Sequence, residues 1–328
     1  MRVCVVGAGG IGATLGARLA LAGHAVSLVA RGAHLRALQE RGLTFVDEPS
    51  GARHTLRLPA AADPSELGAQ DAVIIALKAH DIGPMLPRLA PLLAPHTVVV
   101  PAINGLPWWY FHGAGGSHEG RVVRALDPQA SFFVALDPDR ILGCVVHVAA
   151  EVRAPGSVHH TGGRRLILGE PRGGLTPRLA SIAEALNEAG FEAEPSGDIR
   201  LAVWTKLVGN LSFNPVAALT GYRMDQLCAD AGVTEVIRAA MLEAMAVAEH
   251  YGVKIPMTPE ARIDLARQLG AARISMMQDL EAGRRLELGA IVEAVMELAH
   301  DAGIAMPVTR HLHALTRARA RSAGIDQP

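Results

Sequence analysis

At 328 residues, half of them hydrophobic and 19% charged, the chain is long enough for about two domains and lacks the low-hydrophobicity, high-charge signature of disorder. Its 31 basic and 32 acidic residues nearly cancel, which argues against a nucleic-acid binder; the one local basic run is Arg317, Arg319 and Arg321. Three cysteines, Cys4, Cys144 and Cys228, stand far apart with no C-x-x-C, which argues against a disulfide framework and a structural zinc site and fits a reducing cytoplasm.

Residues 3–30 are almost all apolar or small after Arg2, a pattern that a signal peptide or a membrane span would share. Six glycines (7, 9, 10, 12, 16 and 23) and Arg18 interrupt the run. It divides into a strand at 2–6, a glycine turn at 7–12, a helix at 13–22 and a second strand at 25–30. That is one βαβ unit of a soluble protein, and no other segment competes as a span. A helix at 34–41, two short strands within 42–62, a buried strand at 72–77, helical residues at 82–94 and a strand at 97–101 follow. Strands alternating with helices predict a parallel sheet covered on both faces. From 121 to 170 the runs 131–136, 141–150 and 165–169 read as strands that extend this sheet in mixed orientation. A helix at 175–189 and a strand at 191–194 complete the first segment.

Beyond Asp198, a candidate N-cap, no strand is expected. Apolar-periodic stretches at 199–218, 232–252, 259–281 and 285–302, with a last helix at 307–321, predict an all-α segment. The fold expected is α/β: a doubly wound N-terminal sheet over residues 1–197, then a helical domain over 198–328.

Gly7, Gly9, Gly10 and Gly12 form G-A-G-G-I-G between a strand and a helix. Gly7 permits the tight turn, Gly9 lets backbone approach a pyrophosphate, and Gly12 lets the helix pack closely. The helix N-terminus then offers free N–H groups and a positive dipole. Dinucleotide folds specific for NAD place Asp or Glu at the end of the second strand. Here Ala30 and Arg31 stand there, and no acid lies between Ala25 and Gln39. Arginine's planar fork suits a 2′-phosphate, so the cofactor expected is NADPH. Lys78 follows one strand and Asn104-Gly105 another, at the carboxyl ends where open α/β sheets bind ligands.

In the helical segment, Lys206, Asn210 and Asn214 fall at i+4 steps on one ridge. An ammonium there can donate a proton to a reacting oxygen, and carboxamides can orient that oxygen or a carboxylate. A solvated polar face is the plainer reading of the same spacing. Ser275, Asp279 and Glu287 fall on a second i+4 ladder that passes through Gly283. Ser275 suits a carboxylate and Glu287 a substrate hydroxyl or the lysine, although ordinary ion pairs would also account for the ladder.

With these motifs in order, the chain resembles the ketopantoate reductases. The resemblance rests on GAGGIG (7–12), Arg31, LKAHD (77–81), NG (104–105), WTKLVGNLSFNPVAAL (204–219), SMMQD (275–279) and GRRLE (283–287), and extends to GIAMPVTRHLHAL (303–315). It implies a Rossmann-type N-terminal domain and NADPH-dependent reduction of a 2-keto acid, 2-dehydropantoate or a relative, to a 2-hydroxy acid. It implies Lys206 as general acid, with Glu287 beside it in the catalytic set. Asn210, Asn214 and Ser275 would line the substrate site, Asn104 and Lys78 would bridge cofactor and substrate, and Arg31 would hold the adenosine 2′-phosphate.

The chain departs from the family's pattern at Leu286-Glu287-Leu288-Gly289, where Thr-Glu-Ile-Asp is usual, and at Val292-Glu293, where Asn-Gly is usual. Four consecutive aromatics, Trp108 to Phe111, follow Asn104; they are expected at a cleft mouth, as a pocket wall in preference to a plug between domains. Two other readings stand beside the reductase: a 3-hydroxyacid dehydrogenase, and a non-catalytic NADP-binding regulator. No metal site is expected, because His311 and His313 diverge on a helix and His159-His160 has no carboxylate cluster nearby in sequence. The partners expected are a small 2-keto acid and at most a second copy of the chain, with no nucleic acid and no membrane.

Overall fold

The computed structural model describes residues 1–326; the last two positions of the expected 198–328 segment lie outside them. The chain divides into two units. The first holds residues 1–103, 108–122 and 130–199, and the second holds 104–107, 123–129 and the described residues from 200 onward. Two short stretches from the N-terminal half thus cluster with the helices.

The first unit begins with β1 (Arg2–Val6), α1 (Gly10–Leu21), β2 (Ala25–Val29), α2 (Gly32–Arg41), β3 (Leu43–Asp47), β4 (Ala52–Leu56) and β5 (Ala60–Ala61). It continues through β6 (Gln70–Ile75), α3 (Ile82–Met85), β7 (Leu93–Pro101), α4 (Phe132–Ala135), β8 (Gly143–Ala154), β9 (Ser157–Gly169), α5 (Pro177–Glu188) and β10 (Glu192–Ser196). Strands β5-β2-β1-β6-β7 lie side by side and all pair in parallel. The order reverses at β1, so the switch point falls between β1 and β6, whose carboxyl ends carry the glycine turn and Lys78.

The 143–169 region does not extend this sheet, contrary to the sequence expectation. β8 and β9 form an antiparallel pair, and β9 lends its other edge in turn to β3 and β10, both parallel, while β4 pairs antiparallel with β3. The outcome is a second, mixed sheet, joined to the first by one isolated bridge between Val99 and Ile141. The run 131–136 is also not a strand. Phe132 and Leu136 are buried four residues apart and Val134 is 89% exposed, a helical rather than alternating pattern that gives α4.

Helix α1 packs on both sheets, which is why it reads as apolar all round. Gly16 approaches Val5, Val26 and Leu28 of the first sheet, and Gly10 approaches the Ala150 carbonyl of the second. Leu15 and Leu19 are each 2% exposed, and burying such a side chain stabilises by about 1.5–3 kcal/mol. Arg18, the one charge in this helix, lies between the Phe45 and Phe191 rings and pairs with Asp47 at 3.0 Å. Asp47 also meets the buried His160 ring at 2.6 Å. No helix of the described residues is long and apolar enough to cross a membrane.

The second unit is helical: α6 (Ile199–Thr220), α7 (Met224–Ala229), α8 (Ala231–His250), α9 (Pro259–Arg267), α10 (Ser275–Glu281), α11 (Ala294–Asp301) and α12 (Pro307–Ser322). Asp198 directly precedes α6. The expected helix over 259–281 is broken in two, with Gly270 at φ +57° between α9 and α10. The stretch read as one helix from 285 starts instead with a π-helical turn at Gly289–Glu293, which runs into α11. Glu243 of α8 accepts hydrogen bonds from the backbone of Val308 and Thr309 at 2.8 and 2.9 Å, capping the start of α12.

Candidate active site

The glycine turn is the candidate cofactor site of the first unit. Gly7 has φ +100°, and a Cβ on Gly12 would sit 2.0 Å from the Gly7 carbonyl oxygen, so both positions require glycine. At Gly9 an added Cβ meets nothing within 4 Å, so the outer face of the turn is open. Gly9 caps α1 without a side-chain hydrogen bond, and no acid occupies the first turn. The uncapped N–H groups and the dipole therefore face a space that suits an anion. The Gly7 and Ala8 amides both donate to the Val29 carbonyl, tying the turn to the end of β2. These features fit the pyrophosphate of a dinucleotide.

Arg31 follows β2 with its side chain 85% exposed, and Nη2 donates to Asp81 Oδ2 at 2.9 Å. Asp81 was not singled out in the sequence, although it lies inside the LKAHD motif. It reaches Arg31 because β6 lies two strands from β2 and the turn after β6 points Asp81 toward it. An exposed pair of this kind contributes little stability, so the guanidinium is readily given up to a phosphate. Lys78 starts that same turn, half-buried, and its carbonyl accepts from the Asp81 amide.

In the second unit, Lys206 Nζ donates to Asn104 Oδ1 at 2.7 Å, although 102 residues separate them. The Asn104 turn is fixed by its successors. Gly105 has φ +83°, and a Cβ there would lie 2.5 Å from the Ala290 carbonyl oxygen, which in turn accepts the Leu106 amide at 2.8 Å. Thus the π-helical turn holds the asparagine against the lysine, a placement of the kind π-bulges often serve. Glu297 steadies the neighbouring stretch by accepting the Arg124 and Ala125 amides at 2.9 and 2.7 Å.

Lys206, Asn210 and Asn214 lie on one continuous helix, α6, as the spacing required. Asn214 is 5% exposed. Neither carboxamide makes a side-chain hydrogen bond among the described residues, so both have donors and acceptors to offer a ligand. Ser275 opens α10 and is exposed, with its hydroxyl likewise uncommitted among the described residues. Glu287 is buried at 5% exposure just ahead of the π-helical turn.

The single ladder through Ser275, Asp279 and Glu287 does not form. Helix α10 ends at Glu281, and Gly283 takes φ +64°, so Glu287 belongs to the next segment. Asp279 turns away from ligand chemistry, because it is 3% exposed and pairs with Arg284 at 2.9 Å. The aromatic run is also not a pocket wall. Trp108, Trp109, Tyr110 and Phe111 are 5%, 1%, 1% and 2% exposed. Their neighbours Phe132, His118, Arg121, Gly143 and Ile199 all belong to the first unit. Glu293, at the departure from the family pattern, meets His313 Nε2 at 2.7 Å; that hydrogen bond, against the burial that opposes it, holds the carboxyl below its ordinary value. Among the described residues no group of three or more His, Cys, Asp or Glu could hold a metal ion.

Comparison with known proteins identifies the family. Residues 3–173 match the family model described as "Ketopantoate reductase PanE/ApbA", and residues 198–320 match its C-terminal counterpart. A 2-dehydropantoate 2-reductase of Mesorhizobium japonicum is 45% identical over 99% of each chain. One from Halobacterium salinarum is 31% identical, over 98% of this chain and 99% of its own. Among solved structures, a PanE/ApbA family ketopantoate reductase from Ralstonia eutropha superposes with TM-score 0.84 at 30% identity, covering 99% of this chain and 100% of its own. The chain belongs to the ketopantoate reductase family, NADPH-dependent oxidoreductases that act on CH–OH groups.

Proposed function

We propose that this chain reduces 2-dehydropantoate to pantoate with NADPH, and that Lys206 is the proton donor. The observation that carries the assignment is the 2.7 Å hydrogen bond from Lys206 Nζ to Asn104 Oδ1. It fixes the position of the ammonium, a group with three donors, beside Asn104. The ammonium form of a lysine carries the proton that a general acid must give.

The bound cofactor supplies hydride to the keto carbon, and the protein's residues do the rest. The uncapped N-terminus of α1 holds phosphate, and Arg31 holds the 2′-phosphate in exchange for Asp81. Lys206 protonates the alkoxide oxygen as charge develops on it. Asn210 and Asn214 orient the substrate's oxygens, Ser275 takes the carboxylate, and Glu287 accepts from a substrate hydroxyl or from Lys206. Asn104 keeps the lysine aimed, and Lys78 contributes positive charge from the cofactor side. We propose a cytoplasmic enzyme whose one macromolecular partner is a second copy of itself, which sedimentation would test.

The deciding experiment follows NADPH absorbance across a panel of 2-keto acids for the parent and Lys206→Ala. The expected outcome is a preference for 2-dehydropantoate and a fall in kcat of roughly 10²–10⁴-fold in the variant, with NADPH affinity retained. Near-parent turnover in Lys206→Ala would remove the lysine from the mechanism. Another keto acid turned over faster would change the substrate and leave the reaction class intact.

A further inference from the structure

The π-helical turn at Gly289–Glu293 is held from two sides. Such turns are rare and often stand at functional sites, and this one meets the Asn104 segment on one side and α12 on the other. Toward Asn104, the Ala290 carbonyl accepts the Leu106 amide at 2.8 Å, and Gly105 fits against Ala290 with no room for a Cβ. Ala290, Ile291 and Val292 are each no more than 1% exposed, so a shift of the turn would disturb close-packed neighbours.

Toward α12, Glu293 closes the turn. Its Oε1 meets His313 Nε2 at 2.7 Å, and its Oε2 lies 3.8 Å from the point that a Cβ on Gly289 would take. The carboxylate thus folds back along the turn toward its first residue. The hydrogen bond from His313 outweighs burial, with the charges of Arg317 and Arg285 in support, and holds the carboxyl below its ordinary value. It is therefore ionised at neutral pH and can only accept, so His313 Nε2 carries the shared proton. His313 is itself well fixed, with its side chain 14% exposed. Its helix is tied to α8 through Glu243, which accepts the Val308 and Thr309 amides and the Thr309 hydroxyl. The reaction proposed above uses neither Glu293 nor His313.

We propose that Glu293 and His313 are positioning residues for the reduction: their hydrogen bond clamps the π-helical turn, and the clamped turn sets Asn104 against Lys206. The proposal rests on the reading of Lys206 as proton donor. The route is short and continuous. It runs from His313 to the Glu293 carboxylate, through one turn of backbone to the Ala290 carbonyl and the Leu106 amide, and so to Asn104 Oδ1, 2.7 Å from Lys206 Nζ. A catalytic group displaced by about 1 Å can lose about 10²-fold in rate, so a clamp this far from the chemistry still bears on it. Glu293 also stands at a departure from the family's usual pattern, where glycine would offer no carboxylate to the imidazole. The fold itself therefore does not require the clamp.

The test measures kcat at neutral pH, with NADPH and the 2-keto acid turned over fastest, for the full-length parent, Glu293→Ala, Glu293→Gln, Asn104→Ala and the double variant Asn104→Ala/Glu293→Ala. Glu293→Ala should lower kcat about three- to thirtyfold, the range that remote coupling contacts carry, with NADPH affinity unchanged. Glu293→Gln should keep most of the rate, because its side-chain carbonyl still accepts from His313. In the Asn104→Ala background, Glu293→Ala should cost nothing further, since the group it positions is gone. Hydrogen–deuterium exchange at the Leu106 amide should quicken in Glu293→Ala. If Glu293→Ala does not fold, His313→Leu breaks the same bond from α12 and takes its place in the cycle. Near-parent kcat in Glu293→Ala, whatever its melting temperature, would leave the pair a structural contact only, and additive losses in the cycle would place its action elsewhere; either overturns the proposal. A loss in Asn104→Ala without one in Glu293→Ala removes the clamp alone, whereas near-parent kcat in both Asn104→Ala and Lys206→Ala removes the reading beneath it.

Discussion

Helices α1 and α6 look alike in sequence and do opposite work. Both are largely apolar, and both use glycine for a close approach, at Gly12 and Gly16 in one and at Gly209 in the other. On the proposed reading, the first offers its ligand only backbone, the uncapped N–H groups behind Gly9. The second offers side chains, an ammonium and two carboxamides on one ridge. A site made of backbone is vulnerable to added atoms, whereas a site made of side chains is vulnerable to removed ones. That contrast can be tested substitution by substitution.

Gly12→Ala should have the largest effect. Its Cβ would lie 2.0 Å from the Gly7 carbonyl oxygen and 2.9 Å from the Ala76 Cβ, neither of which is the end of a flexible side chain. We expect a stability loss of at least about 1–3 kcal/mol and no measurable NADPH binding. An unchanged melting temperature would break the steric account.

Gly9→Ala separates stability from binding within the same turn. The protein leaves space for that Cβ, and φ is −70°, so folding should be unaffected while NADPH affinity falls. Matching losses of stability and affinity would mean the turn is merely packed.

At the side-chain site, Asn104→Ala should lower kcat by roughly tenfold or more, the size of one hydrogen bond to a charged group. Asn104→Asp should recover part of it, because a carboxylate oxygen still accepts from Lys206. Full activity in the alanine variant would mean that the 2.7 Å contact aims nothing.

Arg31→Ala should weaken NADPH binding and leave NADH nearly unchanged, whereas Asp81→Asn should tighten NADPH modestly by freeing the guanidinium. Fluorescence titration of both cofactors reads the pair, and parallel changes for NADH and NADPH would remove it from cofactor selection.

The smallest effect concerns pH. The Glu293 carboxyl, held below its ordinary value of 4.5 chiefly by His313, stabilises the fold above that value. The contribution is lost as pH falls through the folded-state pKa. The stability gap between the parent and Glu293→Gln should therefore shrink below pH 4.5, and a constant gap in acid melts would contradict the pairing.

What the sequence disclosed was local. The βαβ unit is contiguous, so its strand, turn and helix were legible, and Lys206, Asn210 and Asn214 share one unbroken helix. Long-range pairings were not legible. Nothing in the pattern of β9 says that one edge will serve β3, more than a hundred residues earlier, and β10 in turn. Asp81 is 50 residues from Arg31, and only the parallel sheet order brings the two together. The ladder from Ser275 to Glu287 failed on a single backbone angle: Gly283 was read as a neutral helical position, and its left-handed conformation ends the periodicity. The aromatic run follows Asn104 closely in the chain, yet Asn104–Pro107 clusters with the helices and Trp108 onward with the sheets, and burial, which the sequence does not print, sets its role.

The seat of Gly10 bears on protein engineering. The first thirty residues have the outline of a portable cassette, a nucleotide-binding module that could be grafted onto another scaffold. Yet a Cβ at Gly10 would lie 2.4 Å from the Ala150 carbonyl oxygen, so the mouth of the turn rests on a hairpin encoded some 140 residues downstream. A graft of residues 1–30 alone would carry the phosphate grip without its backstop. A working transplant would have to bring β8 and β9 with it, and a chimera joined between the two segments should be judged first on whether that contact re-forms.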